Sequence, residues 1–377
     1  MQQVSRIFLS ALLCFCVLTG SFILPAHAQP GVSAEAAILI DADSGRVIWS
    51  KNADDRHAMA STTKIMTALV ALREMPLDTT VEINPAAVGV EGSSVYLYAG
   101  EQLTLEDLLY AMLLESANDA AAAIAIAVSG SIDAFAAEMN ACAAELGLEN
   151  THFTNPHGLW NEEHYTTARE LAQITMQALR YPTFRTMVST YKKTIPLNGD
   201  EGVRLLLNHN KLLKLYDGVI GVKTGYTKKS GRCLVSAAER DGVTLIAVTL
   251  NAPNDWQDHT AMLDYGFANS VRHSLGKAGE LSYTLPVVSG RMDYVSVCNT
   301  APLEVTLSAN SPVPELYVEL PRMLYAPVEA DTVVGKVCLL VNGEIVAESP
   351  LVAAFSVESA ERETGFFAFL RRLFGKN

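Results

Sequence analysis

The chain has 377 residues, which is long enough for a sizeable hydrophobic core and for two domains. Hydrophobic residues make up 49% of it and charged residues 18%, so the composition is that of a folded protein and not of a disordered one. The net charge of −13 and the lack of an evident basic patch argue against nucleic acid as a partner.

The first 28 residues have the features of a segment that directs export. Arg6 precedes a long apolar run, and the small residues Ala26 and Ala28 form a small-x-small cleavage site. Because the apolar run is long, an uncleaved membrane anchor is the alternative. In either case the sequence predicts a protein that leaves the cytoplasm.

Residues 29–275 form the first predicted domain, which opens with strands and continues with helices. Residues 34–52 indicate two strands joined by a turn at 43–45. Helical periodicity then recurs in four segments: 61–75, 104–116, 131–147 and 167–181. Thr104 and Ser131 are predicted N-caps, and Thr167 precedes Glu170 with capping-box spacing.

Strands return before the domain closes. Residues 233–250 alternate around Asp241-Gly242, which predicts a tight hairpin. Residues 255–271 have helical periodicity and end the domain. Helices that lie between early and late strands indicate an α+β fold and not a regular βαβ repeat.

Residues 276–360 differ in their sequence pattern from the first domain and form the second predicted domain. Short β-like runs are separated by Pro and Gly, and Asn342-Gly343 predicts another hairpin, so this domain is expected to be a small β-sandwich-like unit. Four cysteines remain after residue 28, without metal-binding spacing: Cys142, Cys233, Cys298 and Cys338. We expect the cysteines to be free thiols, with a Cys298–Cys338 bridge as the alternative. We expect neither a bound metal nor a cofactor.

The last segment, 361–377, has the pattern of a short amphipathic helix. Six apolar residues fall on one helical face: Phe366, Phe367, Phe369, Leu370, Leu373 and Phe374. The basic residues Arg371, Arg372 and Lys376 occupy the rest, which suits an interface with anionic lipid headgroups. A helix docked on the protein itself is the alternative.

Three short motifs carry possible chemistry. Ser61 and Lys64 are three residues apart at the start of a predicted helix, so a lysine of lowered pKa could activate the serine hydroxyl. Ser116-Ala117-Asn118 interrupts an apolar stretch between two predicted helices. Lys223-Thr224-Gly225 suits an anion such as a carboxylate, and its glycine permits close approach of another backbone.

Each motif alone is weak, and two of them recur in the chain. Ser189–Lys192 repeats the first spacing, and Ser308–Asn310 repeats the second. Order separates the copies, because only the set at 61, 116 and 223 follows the sequence Ser-x-x-Lys, Ser-x-Asn, Lys-Thr-Gly. That order is typical of class A β-lactamases and penicillin-binding proteins. We interpret Ser308–Asn310 as a surface turn.

The chain resembles the low-molecular-mass penicillin-binding proteins that are serine-type D-alanyl-D-alanine carboxypeptidases. The resemblance covers nearly all of the chain after residue 28 and includes "ASTTKIMTA", "ESANDAA", "HFTNPHGLW", "TTARELA" and "GVKTGYT". It implies an antiparallel sheet with helices in a penicillin-binding, β-lactamase-like transpeptidase domain, followed by the small β domain. The basic, amphipathic tail is similar to that family's membrane anchor.

The resemblance also implies the reaction and its catalytic residues. Ser61 attacks the carbonyl between the two terminal D-alanines of a peptidoglycan stem peptide, and Lys64 accepts its proton. D-Alanine leaves, and water hydrolyses the acyl-enzyme. Ser116 helps to pass a proton to the leaving amine. β-Lactams resemble the D-Ala-D-Ala end and are expected to acylate Ser61.

Substrate binding is implied for a second set of residues. Asn118 hydrogen-bonds the substrate amide, and Lys223 with Thr224 holds the terminal carboxylate beside Gly225. The backbone amides of Ser61 and Tyr226 form an oxyanion hole, a donor pair that is often worth several kcal/mol. The implied location is the outer face of the bacterial cytoplasmic membrane, to which the tail binds peripherally.

The pattern departs from the family at two places. Family members often carry an arginine before Lys-Thr-Gly, where this chain has His209, and another after the next hairpin, where "NAPNDWQDH" has none. His157 lies in a family-like loop, for which we predict a structural role.

Other activities remain as alternatives. A β-lactamase would need a deacylating glutamate, but 161–174 contains no Glu-x-x-Leu-Asn. A D-Ala-D-Ala endopeptidase or transpeptidase shares the chemistry, and a catalytically inactive envelope-binding protein would be expected to have a broken motif.

Overall fold

The structure is a computed structural model that describes residues 29–198 and 202–360. The predicted export segment 1–28 and the predicted amphipathic helix 361–377 lie outside the described residues. The α-helices are α1 (Lys64–Glu74), α2 (Leu105–Leu114), α3 (Asn118–Ser129), α4 (Ile132–Glu145), α5 (Ala168–Leu179), α6 (Pro182–Ser189), α7 (Leu212–Leu215) and α8 (Asp255–Ala268). Short 3-10 turns occur at Ala60–Thr63 and Pro85–Ala87.

The strands of the first domain are β1 (Ala36–Asp41), β2 (Val47–Lys51), β3 (Thr80–Glu82), β4 (Gln102–Thr104), β5 (Lys192–Pro196), β6 (Val203–Leu207), β7 (Val219–Thr227), β8 (Gly231–Arg240) and β9 (Val243–Leu250). They are followed by β10 (Ser270–Gly276), β11 (Ser282–Val288), β12 (Tyr294–Asn299), β13 (Leu303–Ser308), β14 (Glu315–Glu319), β15 (Leu324–Tyr325), β16 (Val333–Val341) and β17 (Glu344–Ala353).

A five-stranded antiparallel sheet organises the first domain, in the order β2-β1-β9-β8-β7. Both faces of its centre are covered. Ile38 and Ile40 of β1 join the core formed with α1–α6, whereas Leu39 packs with Met262 and Leu263 of α8 on the other face. The sheet between helical layers confirms the predicted α+β class. It also leaves β7 as an edge strand, open to a ligand.

The local signals at the helix ends are mostly confirmed. Thr104 forms a complete capping box with Asp107, and the hydroxyl of Ser131 accepts from the amide of Ala134. Thr167 caps α5 by accepting from the amide of Glu170. The reciprocal half of that capping box is not formed, because the Glu170 carboxylate accepts hydrogen bonds from the 150–151 segment instead.

Both predicted hairpins are present. Asp241 and Gly242 have φ of 49° and 76°, and Asn342 and Gly343 have φ of 53° and 84°. Positive φ at both central positions matches the right-handed twist of the flanking strands, and Asp, Asn and Gly reach that region at low cost.

The second domain is all-β, as predicted. Its six-stranded sheet has the order β14-β16-β17-β12-β11-β15, while β10 pairs with β13. It has its own apolar core, which includes Val295, Val297, Val337 and Leu351. The four described cysteines are free thiols, so the alternative of a Cys298–Cys338 bridge is wrong; Cys298 is the one that is half-buried instead of buried.

No single described helix is long and apolar enough to cross a membrane. Helices α3 and α4, which are bent by 81° at their junction, reach that length and composition only as a pair, and most of α3 lies in the protein core.

Candidate active site

Ser61 lies in the 3-10 turn Ala60–Thr63 that leads into α1. The spacing of three residues brings Lys64 Nζ to 3.0 Å from Ser61 Oγ. Ala60 has φ of 48°, a left-handed conformation that is strained for a residue with a Cβ. The turn therefore holds a half-buried serine hydroxyl against a lysine that is 0% exposed.

Lys64 has the surroundings of an amine that can act as a base. Its Nζ donates to Asn118 Oδ1 at 2.7 Å and to the carbonyl of His157 at 2.7 Å. Those two acceptors use both hydrogens of a neutral amine, so its lone pair is left to accept from the Ser61 hydroxyl. Burial, and next the charge of nearby Lys223, lower the pKa of Lys64 well below its ordinary value. Both effects favour the neutral form that a general base requires.

The polar triplet 116–118 lies at the junction of α2 and α3, as predicted, and Asn118 is the first residue of α3. Ser116 has φ of 60°, and this strained residue turns the chain between the two helices. Its hydroxyl lies 3.0 Å from Lys223 Nζ and lines a cleft.

Asn118 is buried, and its side chain connects Lys64 to the segment that precedes Ser93. The side chain accepts from Lys64 and donates from Nδ2 to the carbonyl of Glu91 at 2.5 Å. The backbone amide of Asn118 donates to the carbonyl of Ser93. The Asn118 side chain thus positions Lys64 directly. The second hydrogen of Asn118 Nδ2 remains available for a substrate, and contact between Asn118 and a substrate stays a prediction.

Strand β7 forms the opposite wall. Lys223 is buried and donates to the carbonyl of Thr224 as well as to Ser116, and burial lowers the pKa of Lys223 to about 7. At Gly225 a Cβ would lie 3.0 Å from the Ser61 amide nitrogen and 3.2 Å from the carbonyl oxygen of Met59. The predicted close approach is confirmed, because this strand passes the serine turn at a distance that leaves little room for a side chain.

A cleft of about 380 Å³ joins these elements. Five of the predicted site residues line it: Ser61, Ser116, Thr224, Gly225 and Tyr226. The second copies of the motifs lie elsewhere. Ser189 ends α6 and Lys192 begins β5, while Ser308 ends β13 and is followed by an exposed turn, as we predicted.

The loop around His157 supports the serine turn from behind. A Cβ on Gly158 would lie 1.9 Å from the carbonyl oxygen of Ala60, so the two backbones touch directly. Burial lowers the pKa of His157 to about 3, with smaller effects from Lys64 and His164. The ring is therefore neutral at physiological pH, and it is the carbonyl of His157 that contacts Lys64. This arrangement agrees with the predicted structural role.

Several cleft residues were missed in the sequence. Ser93, Lys211, Arg232, Asp255 and Trp256 line the same cleft. Arg232 follows Tyr226 by six residues in the sequence, and only the register of the hairpin between β7 and β8 places it directly opposite Tyr226. His209, which stands where the family often has arginine, also lines the cleft and lies 3.1 Å from the carboxylate of Glu115.

Asp119 is buried, and no role was predicted for it. Its carboxylate accepts from the Ser94 hydroxyl and from the amides of Val95 and Leu97. It thereby fixes the segment that follows Ser93 on the cleft wall.

Among the described residues that line the cleft, the one carboxylate is Asp255, and it pairs with Arg232. Glu170 does not line the cleft; its carboxylate accepts from the amide of Asn150 and the hydroxyl of Thr151. Among the described residues that line the cleft there is thus no counterpart to the glutamate that activates water in class A β-lactamases.

Comparisons with known proteins agree with this geometry. A family model described as D-alanyl-D-alanine carboxypeptidase matches residues 25–254, and one described as the penicillin-binding protein 5 C-terminal domain matches residues 272–359. The D-alanyl-D-alanine carboxypeptidase DacF of Bacillus subtilis is 33% identical over 352 residues, which cover 91% of this chain and 89% of the relative. The D-alanyl-D-alanine carboxypeptidase of Streptomyces sp. strain K15 is 38% identical over 261 residues, which cover 64% of this chain and 89% of the relative.

Solved structures give the same result. Penicillin-binding protein 5 from Haemophilus influenzae aligns with a TM-score of 0.69 and 29% sequence identity, over 88% of this chain and 99% of that chain.

Proposed function

This chain belongs to the D-alanyl-D-alanine carboxypeptidase family, and from that premise we propose that it removes the terminal D-alanine of peptidoglycan stem pentapeptides through an acyl-enzyme on Ser61. It is a serine-type hydrolase with the fold of penicillin-binding proteins, so peptidoglycan peptides and β-lactams are its ligand classes. The action on a stem pentapeptide and the residue roles below are part of the proposal.

The observation that carries the proposal is the pair of serine–lysine contacts in one cleft. Lys64 lies 3.0 Å from Ser61, and Lys223 lies 3.0 Å from Ser116. The first pair supplies a nucleophile with its base. The second pair supplies a hydroxyl, backed by an amine whose pKa is about 7, that can pass a proton to a leaving group.

The steps follow from these positions. Ser61 Oγ bonds to the carbonyl carbon between the two D-alanines while its proton moves to Lys64. The C–N bond then breaks, and the proton held by Lys64 is passed through the Ser116 hydroxyl to the departing amine of D-alanine, which leaves Lys64 neutral again. Water then attacks the ester carbonyl and gives a proton to Lys64; the ester C–O bond breaks, and Ser61 takes the proton back. The amides of Ser61 and Tyr226 are proposed to stabilise the oxyanion, and Lys223 with Thr224 to bind the terminal carboxylate.

The direct test is D-alanine release from a purified stem pentapeptide. We expect one equivalent of D-alanine and the corresponding tetrapeptide, since the acyl-enzyme releases the terminal residue first. A cross-linked dimer serves as the comparison substrate for endopeptidase activity. Rapid penicillin turnover without D-alanine release would contradict the proposal and favour a β-lactamase.

We further propose that 1–28 directs export and that 361–377 holds the protein on the outer face of the cytoplasmic membrane. The apolar face of the tail would enter the lipid interface while its basic residues meet anionic headgroups. Deletion of 364–377 is expected to move the protein from the membrane to the soluble fraction. The mass of the recovered protein is expected to correspond to a chain that begins at Gln29.

A matched control replaces Arg371 and Arg372 with serine, which is expected to weaken the membrane binding in a salt-dependent way without removing the apolar face. Unchanged fractionation of the deletion variant would contradict the anchor. A mass that retains 1–28 would instead indicate an uncleaved membrane anchor.

A further inference from the structure

The carboxylate-binding end of the cleft contains an arginine that no sequence motif indicated. Arg232 is the second residue of β8, lines the cleft with Thr224 and Gly225, and its side chain is 42% exposed. It therefore combines a permanent positive charge with access to a ligand.

The register of the hairpin explains how this side chain reaches the site. Arg232 is opposite Tyr226 in the antiparallel pair, and Thr224 lies two residues before Tyr226 on the same face. Thr224 and Arg232 are thus diagonal neighbours, whose Cβ atoms are typically about 7–8 Å apart or somewhat less. A carboxylate can accept from a threonine hydroxyl and from an arginine across such a gap.

Asp255 holds the guanidinium in place. Its buried carboxylate lies 2.9 Å from the Arg232 Nη2 atom, and its other oxygen accepts from the amide of Trp256. The indole ring of Trp256 lies 5.8 Å from the centre of the guanidinium, within the range of a cation–π contact. A guanidinium fixed on one side by an ion pair still has donors for a second carboxylate.

The charges around the cleft favour Arg232 over its neighbours. Lys223 is buried, and burial lowers its pKa to about 7, so its positive charge is partial at neutral pH. Lys211 also lines the cleft, but it is a flexible point charge. His209 is paired with Glu115. Among these groups, Arg232 is the one with a permanent charge and a fixed orientation.

We propose that Arg232, positioned by Asp255, binds the terminal carboxylate of the substrate together with Thr224 and so makes the enzyme specific for peptides with a free C-terminus. This inference rests on the proposed carboxypeptidase function. It assigns to a strand β8 residue the recognition that the sequence motifs left without an arginine.

The test compares two peptides that differ only at the C-terminus: diacetyl-L-Lys-D-Ala-D-Ala and its C-terminal amide. Mass spectrometry measures the release of D-alanine or D-alaninamide, and the ratio of the two kcat/KM values reports carboxylate specificity. Arg232→Gln is expected to lower kcat/KM for the free acid by about 10- to 100-fold, the range for one hydrogen bond to a charged group. The amide substrate is expected to change less than about twofold, because the lost partner was the carboxylate.

Three further variants separate recognition from structure. Arg232→Gln with Asp255→Asn removes both charges, so it is used if the single variant leaves the buried Asp255 unpaired and does not fold. Lys228→Gln removes an exposed charge that does not line the cleft and is expected to keep both rates. Lys211→Gln removes the other lining cation and is expected to change the ratio less than Arg232→Gln.

The outcomes are distinct. The role of Arg232 would be overturned if Arg232→Gln lowered kcat/KM equally for acid and amide, or lowered neither. It would also be overturned if Lys211→Gln, and not Arg232→Gln, removed the preference for the free acid. In each of these cases D-alanine release by the wild type would still support the carboxypeptidase function. Absence of D-alanine release by the folded wild type would overturn both.

Discussion

Ser61→Ala is expected to abolish covalent labelling by fluorescent penicillin and to remove D-alanine release from the stem pentapeptide. Loss of the nucleophile in a serine hydrolase costs on the order of 10⁶ in kcat. The structure supports this assignment because Ser61 Oγ is 3.0 Å from a fully buried lysine whose pKa is well below its ordinary value. Labelling is measured on a denaturing gel, and release by a D-amino-acid assay.

Ser189→Ala is the matched control for this experiment. It changes the serine of the second Ser-x-x-Lys copy, whose hydroxyl bonds only to the carbonyl of Thr186 among the described contacts. We expect wild-type labelling and release. Equal labelling of Ser61→Ala and wild type, or no labelling of folded wild type, would show that Ser61 is not the nucleophile.

Arg204→Ala is expected to lower the free energy of unfolding by about 3–5 kcal/mol, the usual cost of leaving one buried charge without its partner. The guanidinium of Arg204 donates to both carboxylate oxygens of Glu101, one of them at 2.8 Å. It also donates to the carbonyls of Val95, Tyr96 and Pro196. Both charged side chains are nearly inaccessible, so this cluster joins strand β6 to the segment beside the cleft.

The pH dependence of that loss has a defined sign. Burial alone would raise the pKa of Glu101, but hydrogen bonds from Arg204 and from the amides of Tyr98 and Asn198 lower it overall. A lowered pKa in the folded state stabilises the fold above the ordinary carboxyl pKa of about 4.3, and this contribution is lost as the pH falls through the lowered value. The difference between wild type and Arg204→Ala is therefore expected to be full at pH 7 and to shrink in acid.

Urea unfolding at pH 7 and in acid measures this difference, and Arg169→Ala is its control. Arg169 pairs with Asp54 on the surface, where removal of one partner is expected to cost about 0–1 kcal/mol. Equal losses for the two variants would contradict a structural role for the buried pair. If Arg204→Ala does not accumulate, Arg204→Lys keeps the charge and tests the geometry alone.

Most secondary structure could be predicted because its causes are local. The caps Thr104, Ser131 and Thr167 and the turns Asp241-Gly242 and Asn342-Gly343 act within three or four residues of themselves. The predicted bond from the Thr167 amide to the Glu170 carboxylate, the second half of a capping box, is not formed, and the reason is not local. The Glu170 carboxylate found partners at 150–151, about 20 residues away in sequence, which local spacing does not reveal.

The candidate site divides in the same way. The order of three motifs in the sequence predicted Ser61, Ser116 and Lys223 as site residues in preference to the second motif copies, and the structure places these three around one cleft. Burial and distance were decided only by the fold, because Lys64 meets Asn118 54 residues away and the carbonyl of His157 93 residues away. The lowered pKa values of Lys64 and Lys223 follow from that burial and cannot be read from spacing.

Sequence by itself therefore determined the family, the α+β class and the β domain, and it predicted the reacting groups, since these depend on residue types and short-range pattern. Tertiary structure alone decided that Lys64 Nζ donates to Asn118 and to the carbonyl of His157, and that Arg232 shares a sheet face with Thr224. The physical reason is that a hydrogen bond or a lowered pKa depends on which groups approach within a few ångströms and exclude water. In this chain those groups come from segments that only the folded sheet and helices bring together.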